Sequence, residues 1–132
     1  MSLRLLDTNI WIALARDEAE VGARLRKMDP RKIACCSVVR AELMLGARKS
    51  SRVAENLAGF TRLLEPFVSL PFDDLAASHY GILRATLEQA GTPIGANDLL
   101  IAAIALAQDC MLVTRNGREF ARVAGLQIET WE

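Results

Sequence analysis

A chain of 132 residues that is 52% hydrophobic is long enough to close one core, so we expect a single domain over residues 1–132. Its 16 basic and 16 acidic side chains cancel, which excludes a protein that binds nucleic acid through overall positive charge. The longest apolar run, Leu99 to Ala107, is too short to span a membrane. The three cysteines are odd in number and lie in or beside apolar runs, which predicts reduced, buried thiols. Because the N-terminus also has no basic leader, we expect a cytoplasmic protein without membrane contact.

The basic residues are concentrated in one region of the sequence. Between Val21 and Arg62 there are 10 Lys and Arg residues but 3 Asp and Glu residues, which leaves 6 basic and 13 acidic residues elsewhere. The main basic residues of this region are Arg24, Arg26, Lys27, Arg31, Lys32, Arg48, Lys49 and Arg52. Two interpretations are open: these residues cover solvated helix surfaces, or they form a surface for RNA or for an acidic partner.

Short apolar runs bounded by turn-forming residues predict the strands of a parallel sheet. They are residues 3–6, 33–36, 67–70 and 111–114, with a possible edge strand at 126–128. Stretches with helical spacing alternate with these runs, at residues 9–16, 17–28, 37–45, 51–64, 73–90, 99–107 and 118–123. Strands that alternate with helices predict an α/β fold, with a central parallel sheet of four to five strands flanked by helices.

Some of these helices carry more specific expectations. Ser37 is a suitable N-cap for the helix that follows the second strand, and Gly91 is suited to end the helix 73–90. The helix 99–107 is almost wholly apolar, which predicts a central position. The apolar face of the helix 73–90 is expected to comprise Leu75, Ala76, Ile82, Leu83 and Leu87.

Three acidic residues interrupt apolar surroundings at the boundaries of predicted elements. Asp7 follows the first strand, Glu42 lies in the second turn of the helix after the second strand, and Asp98 begins the central apolar helix. Helical side chains lean towards the helix N-terminus, so the Glu42 carboxylate can point back to the sheet. If the first, second and fourth strands are neighbours, the three carboxylates converge at the carboxyl edge of the sheet, where α/β proteins bind ligands.

Clustered carboxylates repel one another, and a divalent cation is the simplest way to neutralise them. Oxygen ligands without cysteine or histidine favour Mg²⁺ or Mn²⁺, which suit phosphodiester hydrolysis. Taken singly, each acid has an ordinary explanation: Asp7 in a turn, Glu42 on a solvated helix face, and Asp98 at a helix start beside an Asn97 cap. One shared site explains all three together.

Four motifs in order along the chain resemble those of PIN domains. They are Leu-Asp-Thr-Asn at 6–9, Ser-Val-Val-Arg-Ala-Glu-Leu at 37–43 with Gly46, Pro-Ile-Gly-Ala-Asn-Asp-Leu-Leu-Ile-Ala-Ala at 93–103, and Leu-Val-Thr-Arg-Asn-Gly-Arg-Glu-Phe at 112–120. The C-terminal residues 125–131 are similar to the tail of VapC-type toxins. The resemblance covers the whole chain and implies a Mg²⁺- or Mn²⁺-dependent endoribonuclease, the toxin of a type II toxin–antitoxin pair. It also implies a substrate such as tRNA or another structured RNA.

The resemblance further implies a homodimer that is neutralised by a small VapB-type antitoxin. It implies that the toxin contacts DNA only indirectly, through this antitoxin. It assigns Asp7 and Asp98 as metal ligands and Glu42 as the third acid. The supporting residues that it implies are Thr8, Asn9, Thr114, Asn116 and Glu119. Asn116 stands where the family often has a fourth acid, which puts a second metal ion in doubt. Glu119 is the nearest acid that can substitute, unless it faces solvent.

Several alternatives stay open at the level of sequence. Receiver domains and haloacid-dehalogenase-like phosphatases also carry an acid after the first strand, but Asp7 lacks their neighbouring acids. A PIN-fold module that binds RNA or protein with weak catalysis is the non-enzymatic alternative, which Asn116 favours. Trp11 fits the core or an exposed anchor for the antitoxin. His79 lacks a partner motif and is left out of catalysis.

Overall fold

The sheet of the computed structural model has five parallel strands, in the spatial order β3-β2-β1-β4-β5. The structure describes residues 3–131. The strands are β1 (Arg4–Leu6), β2 (Ile33–Cys36), β3 (Val68–Leu70), β4 (Met111–Thr114) and β5 (Ile128–Thr130). The predicted α/β class and strand number are therefore confirmed. The edge strand starts two residues later than expected, because Gly125 turns the chain at φ +82° and pairing aligns Ile128 with Leu112.

Seven helices within residues 3–131 connect and cover the strands. They are α1 (Thr8–Ala15), α2 (Ala19–Arg26), α3 (Ser37–Arg48), α4 (Val53–Leu64), α5 (Asp74–Gln89), α6 (Ala96–Ala107) and α7 (Gly117–Phe120), with a 3₁₀ turn at Pro30–Lys32. The second helix is shorter than the predicted 17–28, since Asp17 adopts φ +57° and separates α1 from α2. The predicted order of helices between strands is otherwise observed.

The strand order places β1 in the centre, between β2 and β4. The chain moves from β1 to one side through β2 and β3, then crosses back to the other side through β4 and β5. This reversal opens a crevice at the carboxyl end of β1, which is the usual ligand site of such sheets. Asp7 is the first residue after β1 and therefore lies at this crevice.

Both tryptophans lie in the core. The Trp11 ring is fully buried, donates from Nε1 to the Leu6 carbonyl over 3.0 Å, and packs against Phe67 with ring centroids 5.2 Å apart. Burial of a large aromatic ring with its N–H paired stabilises the contact between α1 and the sheet. Trp11 is thus a core residue and not an exposed anchor. Trp131 is also buried, and the Arg24 guanidinium lies 5.9 Å from its ring centroid.

The expected apolar face of α5 is wrong in two positions. Ala76, Leu83 and Leu87 are buried, whereas Leu75 is 53% exposed and Ile82 is 67% exposed. The buried residues are spaced by seven and four positions and so form one narrow stripe towards α6. Leu75 and Ile82 each lie about 100° around the helix from that stripe, where the described chain offers no cover.

The two predicted helix ends have different outcomes. Gly91 has φ +73°, its N–H donates to the Glu88 carbonyl, and the next N–H donates to Leu87, which is the Schellman ending that glycine favours. Ser37, by contrast, is the first helical residue and not the N-cap, because Cys36 is the last extended residue before α3. The Ser37 hydroxyl instead donates to the carbonyl of Leu70 on β3.

The cysteines are free, as predicted, and all three are buried. Burial raises the pKa of Cys35 to about 11 and that of Cys36 to about 12, so both thiols are neutral at physiological pH. Within residues 3–131, no helix combines the length and the apolar character needed to cross a bilayer.

Candidate active site

Asp7 is held rigidly at the junction of β1 and α1. Its backbone N–H donates to the Val113 carbonyl of β4, which fixes the end of β1 beside that strand. One carboxylate oxygen accepts from the Thr8 N–H over 2.8 Å, and the other accepts from the Thr114 hydroxyl over 2.7 Å. Asp7 is 5% exposed and Thr114 is fully buried. The carboxylate therefore has a single orientation, set by α1 on one side and by the end of β4 on the other.

Glu42 reaches the same crevice from α3. Its Oε1 accepts from the Thr8 hydroxyl over 2.5 Å, and its Oε2 accepts from the Asn97 side chain over 3.4 Å. The side chain points back towards the start of its helix, as helical geometry favours. Glu42 thus connects α3 with the first turns of α1 and α6. Asn97 is a site residue that sequence reasoning treated only as a cap, whereas the N-cap of α6 is Gly95.

Asp98 lies in the first turn of α6 and has the most strongly perturbed carboxyl group of the cluster. Its pKa is raised to about 7, first because burial removes it from water and then because Asp7, Glu119 and Glu42 are negatively charged neighbours. We expected the positive end of the helix dipole to stabilise this carboxylate. Burial and like charges outweigh the dipole, so Asp98 carries a proton part of the time near neutral pH.

Glu119 points into the site and not into solvent. Its Oε1 accepts from the Gly95 N–H over 2.9 Å, and its Oε2 accepts from the Asn116 side chain over 2.8 Å. These two donors, in that order, lower the pKa of Glu119, and a hydrogen bond from Asp98 adds to the effect. Asn116 is itself fixed, because its N–H donates to the Thr114 hydroxyl over 2.9 Å. Asn116 therefore holds a carboxylate in place and does not supply one.

The cluster carries more negative charge than its cationic surroundings within residues 3–131 balance, since Arg122 acts on Glu119 alone. Its four carboxylates belong to Asp7, Glu42, Asp98 and Glu119. Within residues 3–131, none of them forms a salt bridge. The pKa of Asp7 is raised by burial above all, although its hydrogen bonds from Thr114 and Thr8 oppose the rise. Uncompensated buried charge costs free energy, so this arrangement favours a bound cation.

The chemistry of the donors fits a hard, hydrated cation. In the described part of the chain, no three His, Cys, Asp or Glu side chains already converge as a complete ligand set. Mg²⁺ needs no such set, because it commonly binds one or two carboxylates and keeps several waters. The Cys36 thiol, whose pKa is raised by burial and in small part by the charge of Asp7, is neutral, so the charged donors of the site are oxygens. Asn9 adds a buried side-chain oxygen that has no partner within residues 3–131.

Comparisons with known proteins agree with this fold. A family model described as PIN domain matches residues 4–126. The chain is 38% identical over 131 residues to a tRNA(fMet)-specific endonuclease VapC of Shigella flexneri, with 96% of each chain covered. It is 37% identical over 130 residues to ribonuclease VapC2 of Rickettsia felis, with 97% of each covered. Its structure superposes with a TM-score of 0.93, 34% identity and full coverage of both chains on the DNA-bound VapBC structure of Salmonella typhimurium.

These matches span nearly the whole chain, and the match by family model covers all four candidate carboxylates. The chain therefore belongs to the PIN domain family, and it is similar to proteins of Shigella flexneri and Rickettsia felis that are named as VapC nucleases.

Proposed function

We propose that this protein is a metal-dependent endoribonuclease that acts as the toxin of a type II toxin–antitoxin pair. The observation that carries the proposal is the cluster of four carboxylates at the carboxyl edge of β1, in which Asp98 has a pKa of about 7. The relatives named ribonuclease VapC support the reaction class. A structural role alone does not explain buried like charges, because such charges destabilise a fold unless they bind something.

Asp7 and Asp98 are the proposed ligands of Mg²⁺ or Mn²⁺, with Glu42 as the third acid of the site. A bound ion of this kind would neutralise charge on the phosphodiester and make a nearby water more acidic. Thr114 and Thr8 hold the Asp7 carboxylate in the orientation that this role requires. Preorganised groups of this kind lower the cost of reaching the transition state.

Glu119 is the proposed fourth acid of the site, because Asn116 stands at the position where the family often has that acid. Asp98 holds the proton of this pair and Glu119 stays ionised, since the pKa of Asp98 is raised and that of Glu119 is lowered. The ionised Glu119 is held by Gly95 and Asn116. Glu119 therefore adds a negative charge to the site, and a proton that Asp98 gave up on binding a cation would go to water and not to Glu119.

The proposed substrate class is tRNA, and initiator tRNA is the first member to test. Two relatives, at 38% and 35% identity, are named tRNA(fMet)-specific endonucleases. An acidic cluster cannot hold a polyanion through its own charge, so substrate binding requires cationic side chains beside it. Arg52 and Arg62, two members of the basic region between residues 21 and 62, line an open cleft on α4 and are the proposed side chains of this kind.

The proposed partners are a VapB-type antitoxin and a second copy of this chain. The solved structures that this chain superposes on include VapBC complexes from Salmonella typhimurium and Rickettsia felis, both bound to DNA. We propose that the antitoxin, and not this chain, makes the DNA contact. The homodimer is supported by the apolar side chains of Leu75 and Ile82, which α5 exposes to solvent.

The test is cleavage of an initiator tRNA transcript, and of total cellular RNA, by protein freed of antitoxin. Reactions in EDTA, Mg²⁺ and Mn²⁺ are compared with the variants Asp7→Asn and Asp98→Asn. We expect discrete fragments that require a divalent ion and that both variants lose. Intact RNA from folded, metal-supplied wild-type protein would instead favour the binding module. Asn116, which stands where the family often has a fourth acid, is the observation that favours this second candidate.

A further inference from the structure

A continuous cleft leads away from the acidic cluster along α1, α3 and α4. Its near part has a volume of about 330 Å³ and begins at Glu42. Its far part has a volume of about 600 Å³ and follows one face of α4. The two parts are continuous because they share three lining residues, which are Ala15, Asn56 and Phe60.

Three arginines line this cleft. Arg16 lies in the near part, while Arg52 and Arg62 lie in the far part. Within residues 3–131, the side chains of Arg16 and Arg62 form no hydrogen bond or salt bridge, although the charge of Arg16 helps to lower the pKa of Glu18. Arg52 pairs with Glu55 over 3.2 Å, but both side chains are well exposed, so a ligand can replace this pair at little cost. The far part of the cleft is therefore lined by two arginines and Glu55, with a net positive charge, and Arg16 adds a third cation in the near part.

An aromatic ring lies between these cations. Phe60 is partly buried against the core and lines both parts of the cleft. Beside it, a side chain at Gly59 would meet nothing within 4 Å, so the space over the helix is open. The Asn56 amide donates to the Ser50 hydroxyl over 2.9 Å, which orients its carbonyl oxygen as an acceptor. The cleft thus combines a ring, cations and an amide within one open channel.

We propose that this cleft binds unpaired nucleotides of the RNA on one side of the scissile phosphate. In this subsite a base stacks on Phe60, and Arg16 and Arg62 bind the adjacent backbone phosphates. The inference rests on the proposed ribonuclease function, because the RNA chain must leave the acidic cluster along a groove and this one begins at Glu42. Aromatic rings with flanking cations are the usual means by which proteins hold single-stranded RNA.

The experiment uses a fluorescein-labelled initiator tRNA transcript and the full-length protein freed of antitoxin. Cleavage is measured as kcat/KM over a range of KCl concentrations, and binding is measured in EDTA by fluorescence anisotropy. The variants are the double substitution Arg16→Gln with Arg62→Gln and the substitution Phe60→Leu. Lys27→Gln is the matched control, because it removes an exposed positive charge at the end of α2, outside the cleft.

We expect the double arginine variant to raise KM about tenfold with kcat retained. The slope of its log binding constant against log salt concentration should be smaller in magnitude by about 1.4, since each of the two lost phosphate contacts on a single strand contributes about 0.7 to that slope. Phe60→Leu should weaken binding roughly tenfold without changing that slope, because stacking is not ionic. Lys27→Gln should match wild type in its binding constant and in the slope of that constant against salt.

The two readouts separate this inference from the proposed function. Binding that depends on the arginines and Phe60, without any cleavage by wild-type protein, would support the subsite and reject the nuclease. Cleavage and salt dependence that are the same in wild type and in the folded arginine variant would overturn the subsite. The subsite would also be overturned if the arginine variant bound the labelled tRNA normally but lost affinity for an acidic antitoxin peptide. The cleft would then bind a protein and not RNA.

Discussion

The Thr8 hydroxyl donates a 2.5 Å hydrogen bond to Oε1 of Glu42, although the two residues are 34 positions apart in the chain. This bond joins the first turn of α1 to α3 across the carboxyl edge of the sheet. Thr8 also gives its backbone N–H to Asp7. One residue therefore orients two of the four carboxylates.

Thr8→Val keeps the shape of this side chain but removes its hydroxyl. We expect kcat for RNA cleavage to fall about 10- to 100-fold, because a hydrogen bond to a charged group contributes about 1.5–3 kcal/mol. The matched control is Thr61→Val, whose hydroxyl bonds to the Leu57 carbonyl on an exposed face of α4. Gel-based cleavage rates and thermal melting measure the two effects. Full activity in Thr8→Val would show that Glu42 needs no support from α1.

Asn116→Asp restores the acid that the family often has at this position, and we expect it to impair the enzyme. The substitution replaces the donor to Glu119 by a second negative charge in contact with it. We expect a roughly tenfold loss of kcat at pH 8, with Asn116→Ala showing how much comes from the lost hydrogen bond alone. Cleavage by Asn116→Asp that equals or exceeds wild type, assayed with increasing Mg²⁺, would show that the added carboxylate binds a cation.

The stability of metal-free protein should depend on the protonation of Asp98. Its folded-state pKa of about 7 lies above that of an unfolded aspartate, which is roughly 3.9. Protonation therefore favours the folded state, and stability is lost as pH rises through 7. The destabilising effect of the ionised carboxylate is fully present above about pH 8.

In EDTA at pH 8.5, Asp98→Asn should therefore melt roughly 2–5 °C above wild type, and the gap should shrink at pH 5. Asp74→Asn, which removes an exposed carboxylate at the start of α5 outside the cluster, is the matched surface control. Differential scanning calorimetry at both pH values measures this. An equal effect of Asp98→Asn at pH 5 and pH 8.5 would contradict the proposed charge repulsion.

The proposed homodimer predicts that α5 contributes to the contact between copies. Ile82→Arg places a charge on the 67% exposed side chain and should convert a dimer into a monomer at micromolar concentration. Val68→Arg, at a 49% exposed apolar position on the edge strand β3, is the control and should stay dimeric. Light scattering after size-exclusion chromatography reports the mass. A dimeric Ile82→Arg would place the contact on another face.

The sequence determined the order of strands and helices and the approach of Asp7, Glu42 and Asp98 to one edge of the sheet. Each of these follows from a local signal. A short apolar run ends at Asp7, a helix places Glu42 one turn from its start, and another apolar run begins beside Asp98. Parallel pairing then brings strand ends together, so their neighbours converge without further information.

Only the tertiary structure decided which partners these carboxylates have and which apolar residues stay exposed. Asn97 donates to Glu42 and Glu119 accepts from Gly95, across 55 and 24 positions of the chain, distances over which no periodicity carries a signal. Leu75 and Ile82 are spaced seven positions apart, as residues on one buried helix face can be. They are nevertheless exposed, because α6 packs only against the narrower stripe of α5 that contains Leu83. Burial and the proximity of like charges are properties of the packed chain, and for that reason the protonation of Asp98 was decided by its neighbours and not by its own position at a helix start.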